Sequence, residues 1–145
     1  MQADMIQKAG EVIQKQTARG AAEGAEPYCV LALMDGDGYP TASTITAAAA
    51  DGIREIAFCT GLSGHKPERI GANNRASVCF NSMGYNITLV GTIAIVTDPA
   101  VKTEMWYEGL RHHFTGPDDP NYCVLRFTTR RYNVFVDWQE AEGLL

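Results

Sequence analysis

The segment Thr60-Gly61-Leu62-Ser63-Gly64-His65-Lys66-Pro67 sets two hydroxyls, two glycines and one lysine ahead of a proline. Those residue types in that order can build an anion site. Loop N–H groups and a hydroxyl donate hydrogen bonds, the lysine brings a point charge, and the positive end of a following helix completes the field. Ser63 is a candidate cap and Pro67 fits the first helical turn. A phosphate suits the arrangement. The pattern is not the G-x-x-x-x-G-K-S/T loop, however, and an ordinary capped helix start is the competing explanation.

A second group of hydroxyls, Thr41, Ser43, Thr44 and Thr46, follows Pro40, which suggests an edge strand or a barrel rim. His112 and His113 are adjacent and on a helix would point to different sides, so they do not make a paired metal site. Asp118 and Asp119 sit between prolines and read as turn formers, not as an acid/base couple. Asp35-Gly36-Asp37-Gly38 begins like a calcium loop, but Tyr39 stands where a further oxygen ligand belongs, so it reads as a hairpin turn. Trp106, Tyr107 and Phe114, then Tyr132, Phe135 and Trp138, form two aromatic groups that serve a core or cover a planar ligand or a partner subunit.

These residues need elements to position them. The chain has 145 residues, 46% of them hydrophobic, which is enough for one domain with a real core and no obligatory disulfide or metal. Cys29, Cys59, Cys79 and Cys123 lie far apart in apolar stretches and are expected to be reduced core thiols. The net charge of -5 argues against nucleic-acid binding, which needs clustered Lys and Arg. No apolar run long enough to span a bilayer and no signal-peptide pattern is present, so no membrane association and a cytoplasmic location are expected.

Apolar residues at three- and four-residue steps predict a helix from Met5 to about Thr17 within residues 1–20. Residues 27–138 then read as a barrel with two inserted helices. Predicted strands cover Tyr28 to Met34, Tyr39 to about Thr46, Ile53 to Thr60, Ala76 to Ser82, Tyr85 to Thr97, Tyr122 to Thr128 and Tyr132 to Trp138. Gly91 marks a bulge or a close backbone approach, and Asp98-Pro99 starts a helix carrying Val101, Met105 and Leu110. The fold class is therefore mainly β: about seven largely antiparallel strands and three helices, with barrel closure removing exposed edges.

The ordered set of Asp-Gly-Tyr-Pro, Phe-Cys-Thr, the Gly/Ser loop with Lys66, Asn-Asn-Arg-Ala-Ser-Val-Cys-Phe, Val-Gly-Thr-Ile-Ala-Ile-Val-Thr-Asp and Trp-Tyr resembles the pyridoxamine 5'-phosphate oxidase-like family, nearest its general stress protein branch. The resemblance runs from about Met5 to Trp138. It implies a split β-barrel that forms a homodimer and binds FMN in a groove between subunits. Lys66, with Thr60, Ser63 and His65, would hold the FMN phosphate, and the backbone of Thr41, Ala42, Ser43 and Thr44 would run beside the isoalloxazine ring. Trp106 or Trp138 would close the groove from the other subunit. The activity implied is flavin-dependent oxidation or reduction of a small molecule; the alternative is a stress protein that holds flavin, haem or a deazaflavin without turnover. Relatives often carry a basic residue on the strand after Gly-Tyr-Pro, whereas this chain has none there, leaving Arg69 or Arg75 as substitutes. The ending Glu-Gly-Leu-Leu differs from the Arg-Leu-x-Pro-like ending of the vitamin B6 enzymes, so vitamin B6 synthesis is not expected.

Overall fold

The computed structural model describes residues 2–145. Helix α1 (Gln2–Gln14) buries Met5, Ala9 and Ile13, the stripe that the spacing predicts, but ends three residues earlier than expected. Thr17 accounts for the stop: its hydroxyl donates to the Gln14 carbonyl at 2.9 Å and accepts from the Gly20 N–H at 3.0 Å, and its backbone bridges Ala47.

Strands β1 (Cys29–Met34) and β2 (Pro40–Ile45) form the expected hairpin. Asp35 builds the turn, accepting from the N–H groups of Asp37 and Tyr39, and Gly38 has φ +84, a conformation that favours glycine. One residue later β3 (Ala47–Asp51) begins, and it pairs with β4 (Glu55–Gly61). Helix α2 (His65–Ala72), β5 (Arg75–Ser82), β6 (Tyr85–Val96) and α3 (Pro99–Met105) follow. The chain ends in β7 (Tyr122–Val136) and β8 (Gln139–Leu144).

The strand order is β2-β1-β5-β6-β7-β4-β3, with β8 added on β7 and every strand pair antiparallel. The outermost strands of that order, β2 and β3, are joined through Thr46 alone. A flat sheet cannot satisfy that connection, so the sheet curls until its two ends meet: a split β-barrel. Inward residues such as Leu31, Phe58, Val78, Leu89 and Phe127 fill it, and α1 packs its apolar stripe against the same cluster. Tyr122, Phe114, Leu110 and Val124 form a smaller second cluster beside α3.

Three sequence expectations change. The two predicted strands after Tyr122 are one 15-residue strand, and the break sensed near Thr129 is a register shift against β6 between Val90 and Gly91. The polar tail after Trp138 is β8, whose strand state comes from pairing with β7 and not from any apolar alternation. The late helix stops at Met105 because Trp106 turns to extended backbone, and Leu110 rides on a separate 3-10 turn, Glu108–His112.

Candidate functional site

Strand β2 hydrogen-bonds to β1 on one side only, so its other backbone edge is unpaired among the described residues. Thr41 and Ser43 lie across from the buried Leu33 and Leu31 and share their inward face, half-buried at the sheet margin. Ala42 and Thr44 face outward and are exposed. The Thr41 hydroxyl donates to the Asp35 carboxylate at 3.2 Å. What β2 offers a ligand is therefore chiefly its backbone.

Helix α2 packs on β1 and β6, and its Arg69 lies close enough to Asp35 to help hold that carboxylate acidic. Asp35 also accepts from Tyr39 and Asp37 N–H groups and from Thr41, and its pKa falls below the ordinary 3.8, with the Tyr39 bond the largest cause. The turn between β1 and β2 thus links β2 to the helix that carries Lys66. Thr60 lies half-buried next to the end of β4, and the exposed Leu62-Ser63-Gly64 loop leads from that strand into the helix.

Ser63 is not the cap expected of it. Gly64 occupies the N-cap position and has no side chain to donate or accept, so no side-chain bond closes the helix start. His65 is exposed and Lys66 half-buried in the first turn. Helix N–H groups left without a side-chain cap, beside a lysine, are a receptor for an oxyanion.

Asn121, a residue that sequence reasoning missed, fixes this loop. Its carbonyl accepts from the Leu62 N–H at 2.7 Å and its side-chain oxygen accepts from the Ser63 N–H at 3.0 Å. A Cβ on Gly61 would fall 2.9 Å from the Asn121 side-chain nitrogen, so a larger residue there would have to displace the Asn121 amide. Asp119 in turn accepts from the Asn121 N–H at 2.9 Å and from the Thr115 N–H at 2.9 Å, as expected of a turn former, and those bonds keep its pKa low. The Thr-Gly-Pro-Asp-Asp-Pro-Asn run is the available signal, but its residues read as a turn and nothing in them points to Ser63.

The two tryptophans separate. Trp106 stacks edge-on against Tyr122 at 5.4 Å, lies beside Cys59 in the second cluster, and has a buried Nε1 with no hydrogen-bond partner. Trp138 sits 87% exposed in the turn between β7 and β8, with φ +64, and touches Phe135. Tyr122 and Trp138 mark opposite ends of β7, so the chain does not bring Trp106 and Trp138 together. Arg75 likewise lies beyond the far end of α2 from Lys66.

All four cysteines are free. Burial pushes Cys29 up to about 12 and Cys59 and Cys123 up to about 11, which keeps them protonated and suits packing, not nucleophilic chemistry. No cluster of metal-ligating side chains occurs among the described residues, and no helix among them is long and apolar enough to cross a membrane.

A curled antiparallel sheet with an open edge strand, and a helix α2 that starts without a side-chain cap next to Lys66, define a split-barrel protein. The sequence profile of the family described as pyridoxamine 5'-phosphate oxidase matches residues 16–135, and the chain belongs to that family. A solved structure of a protein related to general stress protein 26, from Clostridium acetobutylicum, is similar with 23% identity and TM-score 0.78, covering 100% of this chain and 96% of that one. A pyridoxamine 5'-phosphate oxidase-related, FMN-binding protein from Nostoc punctiforme is similar with 11% identity and TM-score 0.67, covering 99% and 94%. A heme-binding protein from Mycobacterium smegmatis is similar with 15% identity and TM-score 0.70, covering 97% of this chain and 57% of that one. No curated protein matches the chain in sequence.

Proposed function

We propose that this chain binds FMN along β2 and the start of α2, as a cytoplasmic homodimer that uses the flavin to oxidise or reduce a small molecule. The observation that carries the reading is the α2 start: an N-cap glycine without a side-chain bond, next to Lys66. The FMN-binding relative of the same fold supports it. The residues fit a phosphate monoester. Backbone N–H groups of the first turn and the Lys66 ammonium would hold its oxygens, each charge-assisted bond contributing about 1.5–3 kcal/mol.

Bound FMN would supply hydride transfer, which no side chain can supply itself. The chain's own residues bind and orient. The free edge of β2 from Thr41 to Thr44 presents backbone donors and acceptors to the polar rim of a flat ring, and Asn121 fixes the loop that carries Ser63. The half-buried outward residues Val30, Ala32, Ser77 and Cys79 give the sheet beside β2 a small, uncharged outer face. A second copy seated on that face would cover the ring and exclude water, and Trp138, exposed at the end of β7, is the aromatic available to reach across.

The second reading, a protein that holds haem without turnover, is favoured by the heme-binding relative. The visible spectrum of the purified chain separates the two. A flavin spectrum near one equivalent per chain, as purified or after adding FMN and removing the excess, is expected, together with a dimer mass by light scattering. A Soret band replaces the first reading by the second. No chromophore retained after reconstitution removes both.

A further inference from the structure

The outer face of the sheet carries a second concentration of positive charge, away from α2's start. Arg75 opens β5 directly across from Thr92 of β6, and Arg131 of β7 lies across from Val90 of β6. Between these pairs the β6–β7 register slips: Val90 faces Arg131 and Gly91 faces Thr129, so Arg130 is the extra residue of a bulge. Bulges bend a strand and re-aim its side chains. Here Arg130, Arg131 and Arg75 line one cleft of about 840 Å³. Gly91 lets the bulged backbones close, since a Cβ on it would fall 1.9 Å from the Thr128 carbonyl oxygen.

The cleft holds no side-chain counter-charge. No carboxylate side chain lines it, in a chain where 17 Asp and Glu outnumber 12 Lys and Arg. The ion pairs among the described residues use Lys8, Arg111 and Arg126, and none uses the three arginines of the cleft. Leu145 closes the rim with its N–H donating to the Arg130 carbonyl. Gathering like charges without a partner opposes folding, and the planar guanidinium fork matches phosphate oxygens two at a time. Thr92 adds a neutral hydrogen-bonding group and Leu144 an apolar wall.

We propose that the cleft of Arg75, Arg130 and Arg131 binds the phosphoryl group of a small phosphorylated molecule, at a site distinct from the flavin groove. Lys66 begins the eight-residue α2 and Arg75 lies past its end, so roughly 12 Å of helix separates the two along the chain. The inference does not rest on flavin binding.

Calorimetric titration of the full chain, with whatever cofactor it retains, against inorganic phosphate, pyrophosphate and ribose 5-phosphate tests it and separates the ligand sources. Saturable binding near one equivalent per chain is expected for at least one probe, weakening as ionic strength rises. In the double variant Arg130→Ala, Arg131→Ala that affinity should fall at least tenfold, with cofactor content and dimer mass unchanged. Arg75→Ala, at an exposed strand start, gives the same reading if the double variant fails to fold. No saturable binding of any probe, or unchanged affinity in the variants, overturns the proposal. Parallel loss of FMN would make the two sites one, and a changed oligomeric state without anion binding would make the arginines a subunit contact; either result also overturns it.

Discussion

The side-chain oxygen of Asn121 accepts from the Ser63 N–H across 58 residues of chain, at 3.0 Å. This bond, with the one from Leu62 N–H to the Asn121 carbonyl, holds the approach to α2 in a single shape. Asn121→Ala keeps the carbonyl bond and removes the side-chain one. One such bond is worth about 0.5–1.5 kcal/mol, so the FMN dissociation constant should rise about three- to tenfold. The melting temperature should fall by no more than about 6 °C. Flavin fluorescence titration and a thermal melt measure both, and unchanged affinity would detach the loop from the cofactor.

Lys66→Ala tests the phosphate assignment from the other side. A lysine in the first turn faces the positive end of its own helix, so without an anion it contributes nothing there or costs a few tenths of a kcal/mol. The cofactor-free variant should therefore melt at or slightly above the parent temperature. Its FMN affinity should fall roughly 10- to 100-fold, the equivalent of one charge-assisted bond. A variant that binds FMN as tightly as the parent places the phosphate elsewhere.

Much of this was legible in the residues. Alternation in Ile87, Leu89 and Ile93 reports a half-buried strand because a β-strand turns successive side chains to opposite faces, and all three are buried. The Asp-Gly-Asp-Gly turn reports the hairpin because its carboxylate and glycine are what the turn needs. β8 was invisible because Gln139–Leu144 is polar and gains its strand state from β7's backbone. The loop's anchor was missed for a different reason. Asn121 meets Ser63 only once β4 and β7 have paired, and no local pattern encodes a contact made by topology.

Gly91 is the residue on which the bulge depends. It is buried, and an added Cβ would meet the Thr128 carbonyl oxygen at 1.9 Å and the Arg130 nitrogen at 3.1 Å, backbone atoms that cannot swing aside. Gly91→Ala must push β6 and β7 apart at the centre of the sheet, at a cost of about 1–3 kcal/mol or more. The melting temperature should drop by at least about 3 °C. Ala94→Gly, on an exposed position of the same strand, provides the control for strand propensity, with an expected loss below about 1 kcal/mol. An unshifted melt in Gly91→Ala would show that the two strands have slack there.

Asp35 gives the hairpin a pH dependence of known sign. Its carboxylate accepts from the Tyr39 N–H at 3.0 Å, the Asp37 N–H at 2.9 Å and the Thr41 hydroxyl at 3.2 Å, and these bonds, led by that of Tyr39, hold its pKa below 3.8. A carboxyl depressed in the folded state contributes stability that is complete above its unfolded pKa and lost as pH falls through the folded one. The turn should therefore hold at neutral pH and loosen only in strong acid, below about pH 4. Because the group is only half-buried at the surface, water screens the effect and the change stays local to the β1–β2 turn. NMR titration of the Asp35 carboxyl carbon should give a midpoint under 3.8, with the Tyr39 amide losing protection over the same range. In Asp35→Ala that amide should be unprotected at every pH, and the start of β2, where a flavin would lie, should be less ordered. A midpoint at or above 3.8 would mean that the turn does not hold the carboxylate in solution.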